Sequence, residues 1–178
     1  MRHALSQNFQ LQEKDWQFIE WPESAPTIHN LPENIYISLS HSRGFICFAI
    51  SGYPIGIDLE ASNKQRNFSA LAEIFMNDEE LDCLVQNEST KIDYFYRIWC
   101  AKEACFKSLP SSEQITTSLK KISFSALIEN DDNWHLIEGN IEQFRFAAMI
   151  KNKPDKINCS NYLSTDKWLD GFSRFEIH

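Results

Sequence analysis

The chain lacks any apolar run long enough to span a bilayer, which takes about 20 consecutive apolar residues. Its opening stretch, MRHALSQNFQLQEKDW, has neither the apolar core nor the small-residue cleavage pattern of a secretory leader. No Cys-x-x-Cys pair occurs. Cys47, Cys83, Cys100, Cys105 and Cys159 are scattered and odd in number, so they read as reduced packing residues. These absences predict a cytoplasmic, soluble protein. An excess of positive charge is also missing. The 17 Lys and Arg against 25 Asp and Glu leave a net charge of −8, which disfavours nucleic acid and anionic membrane as partners. Any anion must be held by a local group of bases. There is no repeat of fixed period, no low-complexity tract, and no Gly-x-Ser-x-Gly elbow of a serine hydrolase.

What is present is core material. The 178 residues are 43% hydrophobic, with 13 Phe and 5 Trp, enough for one large domain or two small lobes. Pro22, Pro26 and Pro32 punctuate a turn-rich beginning. Residues 35–39, 45–50 and 55–60 read as three strands of an antiparallel meander. The first two are joined by the polar turn Ser40-His41-Ser42-Arg43-Gly44, and Gly52-Tyr53-Pro54 makes the second turn. From Ser69 the period becomes helical, in SALAEIF and then NDEELDCLVQN. There Asn77 can cap while Glu80 reaches back to the cap's amide. A longer helix over 91–108 follows, stopped by Pro110. The segments ITTSLKKISFSALIE, NWHLIEG, EQFRFAAMI and INCSNYL read as further strands. Sheet, helices, then more sheet predicts an α+β fold.

Chemistry concentrates in three places. In IGIDLE, strand alternation puts Asp58 and Glu60 on one face, where they repel unless a cation lies between them. Oxygen ligands of that kind suit Mg²⁺ or Mn²⁺. Gly56 leaves room for a backbone or ligand. Alone, such a pair more often marks a strand with one solvated face. In the long helix, Lys102 falls in the middle of the stripe defined by Phe95, Ile98, Trp99 and Phe106, so its ammonium must meet an anion or snorkel to water. Glu103 lies on the flank with Lys107 one turn away. In SLSHS, Ser40, His41 and the turn amides could hold a phosphate. A cation held by Asp58, Glu60 and Glu103 beside Lys102, Lys107 and His41 describes phosphoryl transfer. An unrelated Mg²⁺ phosphohydrolase would explain the acids but not the bases beside them.

In this order and spacing, SLSHSRGFICFAIS, IGIDLE and FYRIWCAKEACFK resemble the 4′-phosphopantetheinyl transferase superfamily, in its single-chain class typified by the surfactin synthetase activator. The likeness covers about residues 24–107. It implies two related α+β lobes with the site in the cleft between them: a shortened N-terminal lobe, 1–52, and a C-terminal lobe, 53–178, carrying the metal site. It further implies a monomer that uses coenzyme A and Mg²⁺ to modify an apo acyl, polyketide or peptidyl carrier protein. Asp58, Glu60 and Glu103 match the family's metal acids, Lys102 and Lys107 its phosphate lysines, and Ser40 with His41 its Ser-His contact. Glu103, or a water on the metal, would take the incoming serine's proton. Where the family often has Gly-Lys-Pro, this chain has Ser24-Ala25-Pro26; Arg2, His3 or His29 could supply the missing contact. Carrier docking could use Arg43, Lys64 and Arg66, or exposed Phe or Leu near residues 68–76. A non-catalytic module of the same fold, binding coenzyme A or a synthase subunit, is the alternative.

Overall fold

In chain order, α1 (Arg2–Asn8) precedes β1 (Phe18–Ile19), β2 (Thr27–Ile28), β3 (Tyr36–Ser42), β4 (Phe45–Ser51) and β5 (Ile55–Ala61). The helices α2 (Phe68–Phe75), α3 (Asp78–Gln86), α4 (Lys91–Ser108), α5 (Ser111–Gln114) and α6 (Phe124–Ile128) come next. The strands β6 (Trp134–Ile141), β7 (Phe144–Lys151) and β8 (Glu176–Ile177) complete the order. The computed structural model describes residues 1–21, 26–62, 67–86, 90–129, 133–152, 154, 157 and 176–177.

The architecture is α+β, as the element pattern predicts. An antiparallel sheet of order β5-β7-β6-β8 carries α4 on one face. Cross-strand partners share a face, so Asp58, Ala147 and Glu138 form one row and Glu60, Arg145 and Asn140 the next. Ala147 and Met149 pack with α4 in the main core. On the opposite face Leu59, Ala61, Phe144 and Phe146 pack with Phe45 and Cys47 of the β3–β4 hairpin. Because both faces of β5 are covered, Asp58 is only 4% exposed, and the solvated-face reading of Asp-x-Glu does not hold.

Helix α4 is the axis of the core. It contains no glycine or proline, and its buried residues face more than one side: Phe95, Tyr96, Ile98, Cys100, Ala101 and Ala104 are all inaccessible. Beyond it, Phe68 and Phe75 of α2 meet Phe95, Tyr96 and Trp99 in edge-to-face contacts with centroids 4.7–5.9 Å apart. The Phe and Leu residues of α2 expected as a docking surface are therefore core or packed against it: Phe75 is buried, and Phe68 and Leu71 lie against the same cluster.

Three sequence expectations are corrected. Residues 40–42 are not a turn but the end of β3. The turn is Arg43-Gly44, both at positive φ (46° and 82°), as a two-residue hairpin requires. The meander is also interrupted. Strand β5 pairs with β7 rather than with β4. Within ITTSLKKISFSALIE the chain forms a 3₁₀ turn at Leu119–Lys121 and α6 instead of a strand, with the Ser123 hydroxyl capping the amide of Ala126. INCSNYL lies, apart from its first residue, outside the described residues, as do Ser24, Ala25, Lys64, Arg66 and Cys159.

Gly56 is where β5 and α4 touch. A Cβ there would stand 1.9 Å from the Ala104 carbonyl oxygen and 2.5 Å from the Ser108 nitrogen, both backbone atoms that cannot swing aside. Gly56→Ala is expected to destabilise the protein by about 3 kcal/mol or more, the upper end for overpacking. Denaturant titration checks it. A loss under about 1 kcal/mol would mean that helix and strand are not locked at this point.

Candidate active site

The hairpin and β5 are joined by serine hydroxyls. Ser38, Ser40 and Ser42, all buried on one face of β3, accept hydrogen bonds from the amides of Ile57, Leu59 and Ala61 at 2.9, 3.1 and 3.1 Å. These are the amides on the side of β5 away from β7, and burying them without an acceptor would be costly. The same hydroxyls reach the acids. Ser40 donates to Asp58 Oδ1 at 2.8 Å and Ser42 to Glu60 Oε2 at 3.2 Å.

From the other side, α4 brings Lys107, whose ammonium donates to the same Asp58 Oδ1 at 2.7 Å. Asp58 Oδ2 is buried and has no partner. Glu103, half-buried on α4, is electrostatically coupled to this group. Burial holds its carboxyl above the ordinary carboxylate value, Lys107 opposes that, and the charges of Asp58 and Glu60 add to it. The helical acid thus lies in the field of the strand pair. Cys100, beneath Asp58, is held as a neutral thiol by burial, with Asp58 and Glu60 reinforcing the shift.

The three carboxylates do not converge as free ligands on one point. Among the described residues no three His, Cys, Asp or Glu side chains are grouped to hold a metal ion as they stand. A lysine ammonium supplies the positive charge at Asp58 instead. Asp58 still presents a buried oxygen without a partner, the kind of donor a hard divalent ion takes, and Glu103 feels the charge of both strand acids.

The other expected site residues lie elsewhere. Lys102 is completely buried and does not reach this cluster. Its ammonium donates to Glu80 Oε2 at 2.5 Å and to the Phe75 carbonyl at 2.9 Å. The anion demanded by its place in the stripe is a glutamate, not a phosphate. Burial pulls its pKa down, and the Glu80 hydrogen bond opposes that. Ser40 points inward, with its hydroxyl engaged by Asp58 and Leu59, whereas His41 is exposed on the other face of β3. Strand alternation separates two residues that a turn would have kept together. Of the proposed replacement contacts, Arg2 donates to the carbonyls of Glu13 and Trp16, and His3 contacts Glu13.

The sequence of the chain matches known proteins. Residues 54–152, more than half of the chain, match the 4′-phosphopantetheinyl transferase superfamily. The chain belongs to that superfamily. It is 30% identical over 131 residues to the 4′-phosphopantetheinyl transferase Sfp of Bacillus subtilis strain 168, covering 74% of this chain and 56% of that protein. The 4′-phosphopantetheinyl transferase ffp of Bacillus subtilis gives the same identity and coverage. The psf-1 enzyme of Bacillus pumilus is 28% identical over 107 residues, 60% of this chain and 45% of its own. The chain thus spans about half the length of the curated relatives it matches.

Sequence reasoning about this superfamily member found Glu80 only as a cap partner. It does form that box: Asn77 N donates to Glu80 Oε2 at 2.8 Å and Glu80 N to Asn77 Oδ1 at 2.9 Å. Its wider role, binding Lys102 and the Phe124 amide, has no local signal. Also missed was an ionic network on the sheet under α4. Arg97 makes a forked contact with Glu138, and Arg145 donates to Asp93 at 2.6 Å, around a cavity of about 270 Å³. Among the described residues no helix is long and apolar enough to cross a membrane.

Proposed function

We propose that this chain is an active transferase, moving the 4′-phosphopantetheine arm of coenzyme A onto a serine hydroxyl of an apo acyl, polyketide or peptidyl carrier protein. The supporting observation is Asp58, 4% exposed, with one oxygen held by Lys107 and Ser40 and the other buried and unpartnered beside Glu60 and Glu103. The serine oxygen bonds to the phosphorus bearing the pantetheine arm. The bond from that phosphorus to the bridging oxygen breaks, and adenosine 3′,5′-bisphosphate leaves.

Asp58, Glu60 and Glu103 would hold Mg²⁺ or Mn²⁺, which when bound neutralises charge on the pyrophosphate. Glu103 accepts the serine proton, a task favoured by its raised proton affinity. Lys107, released from Asp58, turns its ammonium to a phosphate oxygen. Residues 1–52 act as the partner lobe of a monomer. An acidic carrier would meet an acidic chain, so docking relies on a local surface such as the exposed Arg43 turn.

The test is to incubate the protein with coenzyme A, Mg²⁺ and a panel of apo carriers and weigh the carriers. A mass gain of one phosphopantetheine is expected on at least one. A second reading, a coenzyme A-binding module without turnover, is motivated by Ser24-Ala25-Pro26, which stands where the family often has Gly-Lys-Pro. Tight coenzyme A binding by calorimetry with no mass gain on any carrier would favour it.

A further inference from the structure

The serine ladder does more than join hairpin to sheet. Steps of two along β3 match steps of two along β5: Ser38 to Ile57, Ser40 to Leu59, Ser42 to Ala61. The hydroxyls replace the carbonyl acceptors of a neighbouring strand. A carbonyl could only accept, whereas a hydroxyl also carries a proton to give. At Ser40 and Ser42 that proton goes to the acid of the adjoining β5 residue, Asp58 and Glu60. At Ser38 the adjoining residue is Gly56, which has no side chain to receive it. One ladder thus holds two rungs that touch carboxylates and one that does not.

We infer that Ser40 and Ser42 are positioning residues for the cation-binding carboxylates, an assignment that rests on the proposed transferase reading. Each hydroxyl fixes its acid's rotamer and occupies one oxygen. At Asp58 the occupied oxygen is Oδ1, and the orphaned Oδ2 is the one left for an ion. The cation site is therefore assembled partly by the N-terminal hairpin, although the acids are on β5 and α4. Neither serine need touch substrate.

Ser38 supplies the control. Ser38→Ala, Ser40→Ala and Ser42→Ala each remove a hydroxyl acceptor from one β5 amide, but only the last two disconnect an acid. Mn²⁺ affinity of the full chain, read by electron paramagnetic resonance with coenzyme A present, is expected to fall about tenfold in Ser40→Ala and several-fold in Ser42→Ala. Ser38→Ala should bind Mn²⁺ like wild type while losing a similar amount of thermal stability. Ser40→Thr, which keeps the hydroxyl, should recover most of the affinity. Equal Mn²⁺ affinity in the three alanine variants overturns the assignment, as does a wild-type protein that binds no Mn²⁺. If Ser40→Ala does not fold, Ser42→Ala against Ser38→Ala decides the matter. Mn²⁺ binding that follows the serines in a protein that modifies no carrier would leave the assignment standing and remove the catalytic reading.

Discussion

Replacing Lys102 with alanine is expected to lower the unfolding free energy by about 3–5 kcal/mol, as breaking a buried ion pair from one side does. Its ammonium is inaccessible and bridges Glu80 of α3 and the last carbonyl of α2. Glu80 also takes the amides of Asn77 and Phe124, so the ion pair ties α2, α3 and α6 to α4. Removing the lysine leaves that carboxylate charged, buried and short of one partner. Removing both charges costs less. Lys102→Met combined with Glu80→Gln should lie closer to wild type than Lys102→Ala in urea titration. A loss below about 1 kcal/mol in Lys102→Ala would show that the pair is not closed in solution. The functional corollary is sharp. A phosphate-binding lysine would lose coenzyme A affinity at unchanged stability, whereas here the folded double variant should keep its affinity.

Lys102 also marks where the sequence stops being informative. Helical periodicity correctly placed it within an apolar stripe and demanded an anion. It could not say which, because Glu80 lies 22 residues away on another helix. Local signals fared well. The long helix over 91–108 and the Asn77–Glu80 box depend on short spacings and appear as expected. The strand over 55–60 was equally legible, but its partner was not. Strand β7 follows β5 by more than 80 residues, and nothing in IGIDLE distinguishes pairing with β7 from pairing with β4. Ser40, His41 and Ser42 read as a turn because they are polar. Buried serines in a strand make sense only once β5's outward amides need acceptors. Gly56 was read as a close approach, and the approaching backbone is that of α4.

Neutralising Asp58 would separate function from fold, and Asp58→Asn is expected to reduce transfer by about 10³-fold or more. The substitution keeps shape and retains a carbonyl for Ser40, but removes the charge that a divalent ion would need. Stability of the ion-free protein should change by only about 1 kcal/mol. The Lys107 pair it breaks is partly solvated, with that lysine side chain 30% exposed, and the loss is offset by relief of repulsion from Glu60 and Glu103. Glu103→Gln should behave alike, with a pH signature. The folded protein holds the Glu103 proton more tightly than the unfolded chain does, so this residue's contribution to stability diminishes as pH rises from about 4.3, the unfolded value. Above the raised native value the loss is complete. Wild type should therefore lose stability relative to Glu103→Gln as pH climbs through that window, and Mg²⁺ should restore it in wild type alone. Undiminished transfer in either variant, or Mg²⁺ stabilisation that survives both, would remove these carboxylates from the site.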